Sequence, residues 1–173
     1  MDAKSIAEAV QRVEQAFARK PGLARHDDLP ALATLAEGLR VRVELPGGAA
    51  LYTDLPPQMG GEGAGVPPGW LMRAGLASCL TTAVALRAAC LGIELRALSV
   101  RALSESDARG LLDVEPAVAA GPLGLTLNVA LEAVGADEAT LRELVAWADA
   151  HSPLSDAVRR AIDLRVRFEA QAA

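Results

Sequence analysis

The sequence predicts an α+β fold with a mainly antiparallel sheet, and three observations support this prediction. A long apolar stretch at residues 70–92 has the length of a core helix. Segments of alternating apolar and polar residues precede and follow it, at 39–45, 125–131 and 164–168. Signals for parallel strand–helix–strand units are few. The chain of 173 residues is therefore expected to form one domain around one core.

The N-terminal residues are predicted to form an amphipathic helix that ends before the pair Pro21-Gly22. Its apolar residues recur every three or four positions and so share one helix face. They are Ile6, Val10, Val13 and Phe17. We therefore interpret residues 1–22 as an N-terminal helical extension and residues 30–171 as the main domain.

A three-stranded antiparallel meander is predicted next. Residues 39–45 alternate without a fault between apolar and charged side chains, which is typical of a half-buried strand. Residues 31–37 are predicted to precede it in the same sheet, and the Pro-Gly-Gly turn at 46–48 leads into residues 49–54. After the long helix, the predicted elements are strands at 93–103 and 125–131, a helix at 137–150 and a final strand at 164–168.

Net charge, the N-terminal sequence and the length of the uncharged stretch argue against several classes of protein. The net charge of −5 and the scattering of the 17 Lys and Arg residues argue against nucleic-acid binding. The N-terminus lacks the apolar core of a signal peptide, so a cytoplasmic location is expected. Residues 74–86 are uncharged but lie between Arg73 and Arg87, a stretch shorter than the roughly 18 apolar residues of a membrane span. We expect no membrane partner.

Cys79 lies near the middle of the predicted core helix, and its role can be interpreted in two ways. A disulfide framework is not expected, because a cytosolic chain with 2 cysteines meets a reducing environment. Cys79 is then either a reactive thiol or a small buried core residue, which would be inert. The loop at residues 55–69, with its five Gly and four Pro, delivers the chain into this helix.

Four segments together resemble the OsmC/Ohr family. They are DLPPQMGGEGAGVPP at 54–68, LASCL at 76–80, SESDARGLLDV at 104–114 and HSPLSDAV at 151–158. The resemblance implies an OsmC-like fold in which a sheet from each chain wraps long central helices in an intertwined homodimer. It also implies reduction of organic hydroperoxides by a reactive cysteine on the central helix, with a resolving cysteine, an Arg and a Glu. No cofactor is implied beyond an external thiol reductant.

The resemblance places the reactive cysteine at Cys79 but leaves its usual helpers incomplete. The family's glutamate falls on Gly69, and its resolving cysteine falls on Ser152, which cannot form a disulfide. The activating arginine would have to be Arg73, Arg40 or Arg42.

The other candidate site residues have ordinary structural explanations beside the functional ones. Ser152 precedes Pro153, a pair typical of a helix N-terminus, so it is also predicted to cap a helix. His151 either polarises Cys79 or is solvated near that helix start. Glu62 is either part of the site or loop surface.

Cys90 is not expected to pair with Cys79 of the same chain. A continuous helix separates the two by about 16 Å, whereas a disulfide needs Cα atoms within roughly 7 Å. A pair between two chains of a dimer stays open, and the alternative is that Cys90 is a small core residue.

Two functions of different classes follow. The first is a peroxidase with one catalytic cysteine, in which Cys79 forms a sulfenic acid that an external thiol reduces. The second is a catalytically degenerate dimer that binds a small hydrophobic molecule or acts as a sensor. A serine hydrolase using Ser152 and His151 is disfavoured, since no Gly-x-Ser-x-Gly motif is present.

Overall fold

A computed structural model describes residues 2–169 and confirms the α+β prediction. The chain forms two antiparallel sheets and one long helix that packs against several other elements. The helices are α1 (Ala3–Arg19), α2 (Pro68–Leu91), α3 (Ala108–Leu111), α4 (Glu138–Ala150) and α5 (Pro153–Arg160). The strands are β1 (Leu32–Glu37), β2 (Arg40–Glu44), β3 (Ala50–Thr53), β4 (Leu95–Glu105) and β5 (Gly124–Ala133).

The first sheet is the predicted meander. β2 lies between β1 and β3 and pairs antiparallel with both, with Val43 opposite Ala33 on one side and Leu51 on the other. Gly38 and Gly47 adopt positive φ angles of 55° and 75° in the two connections, a conformation that glycine reaches without a Cβ clash. The strong contacts of these strands are with one another, so the meander is a separate layer.

The core lies between α2, α4 and the second sheet. α2 begins at Pro68, whose missing N–H costs nothing in a first turn, and ends at Leu91, where Gly92 follows as the C-cap with a φ of 69°. β4 and β5 pair antiparallel and turn Leu98, Val100, Leu127 and Val129 toward the core. The buried centre consists of Leu80, Val84, Ala88, Leu144 and Ala148.

α2 is long and apolar enough to cross a membrane by length and composition alone. It packs, however, against α1, α4, α5 and β4, which is the environment of a core helix. The predicted helix is therefore confirmed as a packed core helix, but only part of it is buried within the chain, namely Leu76, Leu80, Val84, Ala88 and Ala89. Its apolar character follows from contacts on several sides.

The predicted N-terminal helix is confirmed as α1, and it lies against α2. The carboxylate of Asp2 caps it by accepting the N–H of Ser5 at 2.8 Å. All its residues remain at least partly exposed, so α1 covers α2 without entering the core. Residues 170–171, at the end of the predicted main domain, lie outside the described residues.

The predicted final strand at 164–168 is wrong. Residues 162–169 are irregular, and Leu164, Val166 and Phe168 are 86%, 88% and 86% exposed. Alternation indicates which side chains would share a strand face, but a strand forms only where a neighbouring edge accepts its hydrogen bonds. Within the described residues, β4 and β5 pair only with each other.

Candidate functional site

Cys79 lies on α2 as a free, half-buried thiol. Its neighbours Leu76 and Leu80 are 3% and 2% exposed, whereas the preceding residue, Ser78, is exposed. Cys79 therefore lies at the border between the buried and the open side of the helix. The residue thus keeps part of its surface open to solvent, unlike a fully buried core residue.

The turn between α4 and α5 is followed by a contact of α5 with the part of α2 that carries Cys79. A Cβ at Gly75 would lie 3.0 Å from Leu154 Cδ1, and Gly75 precedes Cys79 by one helical turn on the same face. Further along α2, the Arg87 guanidinium lies 4.5 Å from the ring centroid of Trp147. Gly75 and Arg87 are about 18 Å apart along the helix axis, with Cys79 between them in sequence.

Ser152 lies within that turn and is fully buried, at 0% exposure. It occupies the N-cap position of α5, as predicted, but the predicted capping bond is absent because its side chain accepts no backbone N–H. Its hydroxyl has no hydrogen-bond partner among the described residues. Its backbone is paired instead, because the N–H donates to the carbonyl oxygen of Asp149 at 3.4 Å and the carbonyl accepts the N–H of Asp156 at 3.0 Å. An unpaired buried hydroxyl costs free energy, so the capping role does not explain this residue.

His151 is exposed and is held by Trp147. Their ring centroids are 4.1 Å apart with an angle of 11° between the planes, and His151 Nδ1 lies 2.7 Å from the carbonyl oxygen of Trp147. His151 adjoins Ser152 in sequence, and the contacts of its ring are with Trp147. Polarisation of Cys79 by His151 stays a prediction.

The candidate arginines are engaged elsewhere in the described chain. Arg73 donates from Nη1 to Ser104 Oγ at 3.1 Å, joining α2 to β4. Arg40 lies over the ring of Tyr52, with Cζ 4.1 Å from the centroid, and Arg42 is paired with Glu44. A Cβ at Gly69 would lie 3.8 Å from Arg73 Nη1, so a glutamate there would meet a guanidinium.

Glu62 is exposed in the loop that precedes α2, and only its backbone is fixed there. The described structure gives its carboxylate no ion pair, so a role for that carboxylate stays a prediction.

Cys90 is exposed near the end of the same continuous helix as Cys79. The helix therefore keeps the two thiols of one chain apart, as predicted.

Asp54 organises the loop that precedes α2, and sequence reasoning missed it. It is 2% exposed, and its carboxylate accepts the backbone N–H groups of Leu55, Glu62 and Ala64 at 2.8, 3.0 and 3.1 Å. Gly61 is required beside it, because a Cβ there would lie 2.0 Å from the carbonyl oxygen of Leu55. The only sequence signal was an acidic residue at the end of an apolar strand, directly before a loop rich in Gly and Pro.

The Asp54 carboxylate is predicted to make this loop sensitive to acid. Its backbone hydrogen bonds, that from Ala64 first, hold the pKa of Asp54 below its ordinary value of 3.8 against the opposing effect of burial. A lowered folded-state pKa contributes stability above pH 3.8, and that stability is lost as the pH falls through the folded-state pKa. Asp54→Asn should therefore increase hydrogen exchange at Glu62 and Ala64 at neutral pH. Unchanged exchange, equal to that of the exposed control Asp28→Asn, would contradict this role.

Fold and site define an α+β protein with a half-buried thiol on a central helix. The chain belongs to the OsmC-like protein family, whose model matches residues 61–167. This confirms the resemblance inferred from the four sequence segments. None of the curated proteins matches the chain.

Solved structures agree with this assignment. A crystal structure of an OsmC-like protein from Mycoplasma pneumoniae superposes with a TM-score of 0.66 at 15% identity, covering 78% of this chain and 89% of that one. An organic hydroperoxide resistance protein OsmC from Legionella pneumophila is 28% identical with a TM-score of 0.54, covering 78% and 92%. A third, an organic hydroperoxide resistance protein from Elizabethkingia anophelis, has a TM-score of 0.57 at 21% identity, covering 78% and 91%.

Proposed function

We propose that this OsmC-family protein reduces organic hydroperoxides with Cys79 as its one peroxidatic cysteine. The observation that carries the proposal is a free, half-buried thiol on the central helix at the position where the family resemblance places the reactive cysteine. The similar protein from Legionella pneumophila is described as an organic hydroperoxide resistance protein. Both support a redox role for this thiol.

The reaction has two steps. The Cys79 thiolate attacks the outer peroxide oxygen, the O–O bond breaks, and the alkoxide leaves as the alcohol after taking a proton, which leaves a sulfenic acid on Cys79. A thiol from solution then displaces water from the sulfenic acid, and a second thiol releases Cys79 and forms a disulfide between the two reductant sulfurs. An external thiol is needed because Ser152 cannot supply a sulfur.

A homodimer in the cytoplasm belongs to the same proposal. Large apolar side chains are exposed on the meander and on the C-terminal segment, including Leu35 at 65% and Phe168 at 86%. Large apolar side chains left exposed where they lie close together are typical of a surface that binds a partner. Sedimentation equilibrium should give the mass of two chains, and a single-chain mass at micromolar concentration would contradict the dimer.

The first step is tested by mass spectrometry after treatment with tert-butyl hydroperoxide and a sulfenic-acid trap. We expect the trap on Cys79 at one equivalent of peroxide, with Cys90 as the internal comparison in the same sample. Cys90 is the more exposed thiol, so labelling governed by exposure alone would favour Cys90. Labelling of Cys90 with Cys79 unmodified would sink the proposed enzyme.

A catalytically degenerate, ligand-binding dimer is the second candidate function. A groove of about 790 Å³ lies between α2, β5, α4 and α5, and its lining includes both apolar residues, such as Leu76, Leu80 and Val129, and charged ones, such as Glu138 and Arg142. Its size is within the usual range for small-molecule sites. Saturable binding of a small apolar probe together with an unreactive Cys79 would favour this function over the peroxidase.

Ser152→Cys is expected to give the chain the resolving thiol that it lacks. The family resemblance places the resolving cysteine at Ser152, and the side chains of serine and cysteine are similar in size. After one equivalent of peroxide, the variant should lose the mass of two hydrogens as a disulfide forms between Cys79 and the introduced thiol. Ser155→Cys is the matched control: Ser155 is also buried with an unpaired hydroxyl, but it lines the groove. A disulfide in the control and none in Ser152→Cys would contradict the predicted arrangement.

A further inference from the structure

One buried hydroxyl in the lining of the groove between α2, β5, α4 and α5 has no hydrogen bond. Ser155 of α5 lines this groove and is 5% exposed, and its Oγ has no partner among the described residues. An unpaired buried hydroxyl costs free energy, and a polar group from a ligand would remove that cost. A serine side chain has three staggered positions about χ1, so this hydroxyl can turn toward a molecule in the groove.

Most of the groove wall around Ser155 is apolar and elongated. β5 contributes four alternate residues from Leu125 to Leu131, which share one strand face and are all half-buried. At about 3.4 Å per residue, this apolar row is roughly 20 Å long. α2 adds Leu76 and Leu80 to the lining, and α4 adds Leu141. A wall of this length and chemistry suits an aliphatic chain.

The charged residues of the lining pair with one another. Arg142 is bonded to Glu138 within α4, and Arg159 of α5 lies 2.7 Å from a carboxylate oxygen of Asp149 in α4. The two arginines and two carboxylates cancel, so the lining carries no net charge. An anionic head group would meet a carboxylate beside each arginine, and a cationic one would meet an arginine beside each carboxylate. The lining therefore favours a ligand whose polar group is neutral.

We propose that the groove binds a neutral aliphatic molecule with one hydroxyl group, of the class of the medium-chain primary alcohols. The chain of the ligand lies along the apolar row of β5, and its hydroxyl forms a hydrogen bond with Ser155 Oγ. Both hydroxyls can donate and accept, so the bond forms in either direction. This ligand class belongs to the second candidate function, on which it rests, and it does not involve Cys79.

Binding of 1-octanol to the full chain tests this assignment. Titration followed by methyl NMR should give saturable shifts at the leucine and valine methyl groups of the groove. In Ser155→Ala the affinity should fall by about fivefold, the effect of losing one neutral hydrogen bond. Ser152→Ala is the matched control and should keep the affinity of the parent protein. Ser152 is also buried with an unpaired hydroxyl, but it does not line the groove.

Two further comparisons separate the head group from the chain and from the fold. Octanoate and octylammonium have the same chain length with a charged head, and both should bind the parent protein more weakly than 1-octanol. Ala146→Trp should abolish 1-octanol binding, because a large ring would occupy the groove. Ala146 is an exposed residue of α4 that lines the groove, so circular dichroism should show an unchanged fold in this variant.

Several results would overturn the proposal. Parent-like affinity in Ser155→Ala, or tighter binding of octanoate than of 1-octanol, would refute the neutral ligand and leave the ligand-binding function in place. If none of the three molecules binds saturably, the ligand class and the ligand-binding function fall together. Groove methyl shifts that change on dilution of the ligand-free protein would show that a second copy occupies the groove, which also refutes the proposal. Cys79→Ser should bind 1-octanol as the parent does, so the outcome is independent of the peroxidase.

Discussion

Cys79→Ser is expected to abolish the turnover of organic hydroperoxides. A serine hydroxyl is nearly isosteric with the thiol but is not ionised at neutral pH and is not oxidised by peroxide, so the first step has no nucleophile. Consumption of tert-butyl hydroperoxide with dithiothreitol should fall to the rate without protein. The measurement is a steady-state assay of peroxide loss at equal protein concentration.

Cys90→Ser is the matched control for that experiment. It removes the other free thiol of the chain, on the same helix and in a more exposed position. We expect full activity in this variant, because Cys90 has no part in either step. Loss of activity in both variants would instead indicate that the two thiols act together, as an interchain pair would require. Equal rates in Cys79→Ser and the parent would refute the enzyme.

Leu144→Ala is expected to cause a large loss of stability. Leu144 is 1% exposed in the cluster with Leu80, Val84, Ala88 and Ala148. Its truncation removes buried methyl groups and leaves a cavity between α4 and α2, which costs about 2–5 kcal/mol in comparable cores. This is a substantial part of the roughly 5–15 kcal/mol typical of a folded domain. Urea unfolding followed by circular dichroism measures the difference.

Leu112→Ala provides the control for the same chemical change at the surface. Leu112 is 57% exposed in the connection after α3, so its truncation should alter the free energy of unfolding by no more than about 0.5 kcal/mol. Similar values for the two variants would mean that α4 does not close the core against α2. Because Leu80 lies in this cluster and directly follows Cys79, Leu144→Ala should also loosen the helix that carries the thiol.

The local elements could be predicted from sequence where a single segment contains the whole signal. The amphipathic pattern from Ile6 to Phe17 predicted α1, and the alternation at 39–45 predicted β2, because each pattern follows from the geometry of its own element. The strand predicted at 164–168 had an equally regular pattern and was wrong. Its pattern indicated which side chains would share one face of a strand. A strand forms only where the edge of a neighbouring strand accepts its hydrogen bonds, and no local pattern reveals such an edge.

The candidate site was only partly predictable for the same reason. Cys79 and the two departures from the family pattern, Gly69 and Ser152, could be identified along the chain. Trp147 was not identified from its sequence context, and Arg87 only marked the end of an uncharged stretch. Their contact depends on how α4 packs against α2, which is a property of the assembled core.

The sequence by itself determined the α+β class, the central helix, the position of the thiol and the absence of a second cysteine where the family would place one. The tertiary structure alone decided that Cys79 is half-buried, that Asp54 holds the loop before α2, and that His151 is fixed on Trp147. The physical reason is the distance along the sequence over which each kind of interaction acts. Helix and strand patterns arise from neighbours within a few residues, whereas burial and side-chain contacts arise where segments distant in sequence pack together.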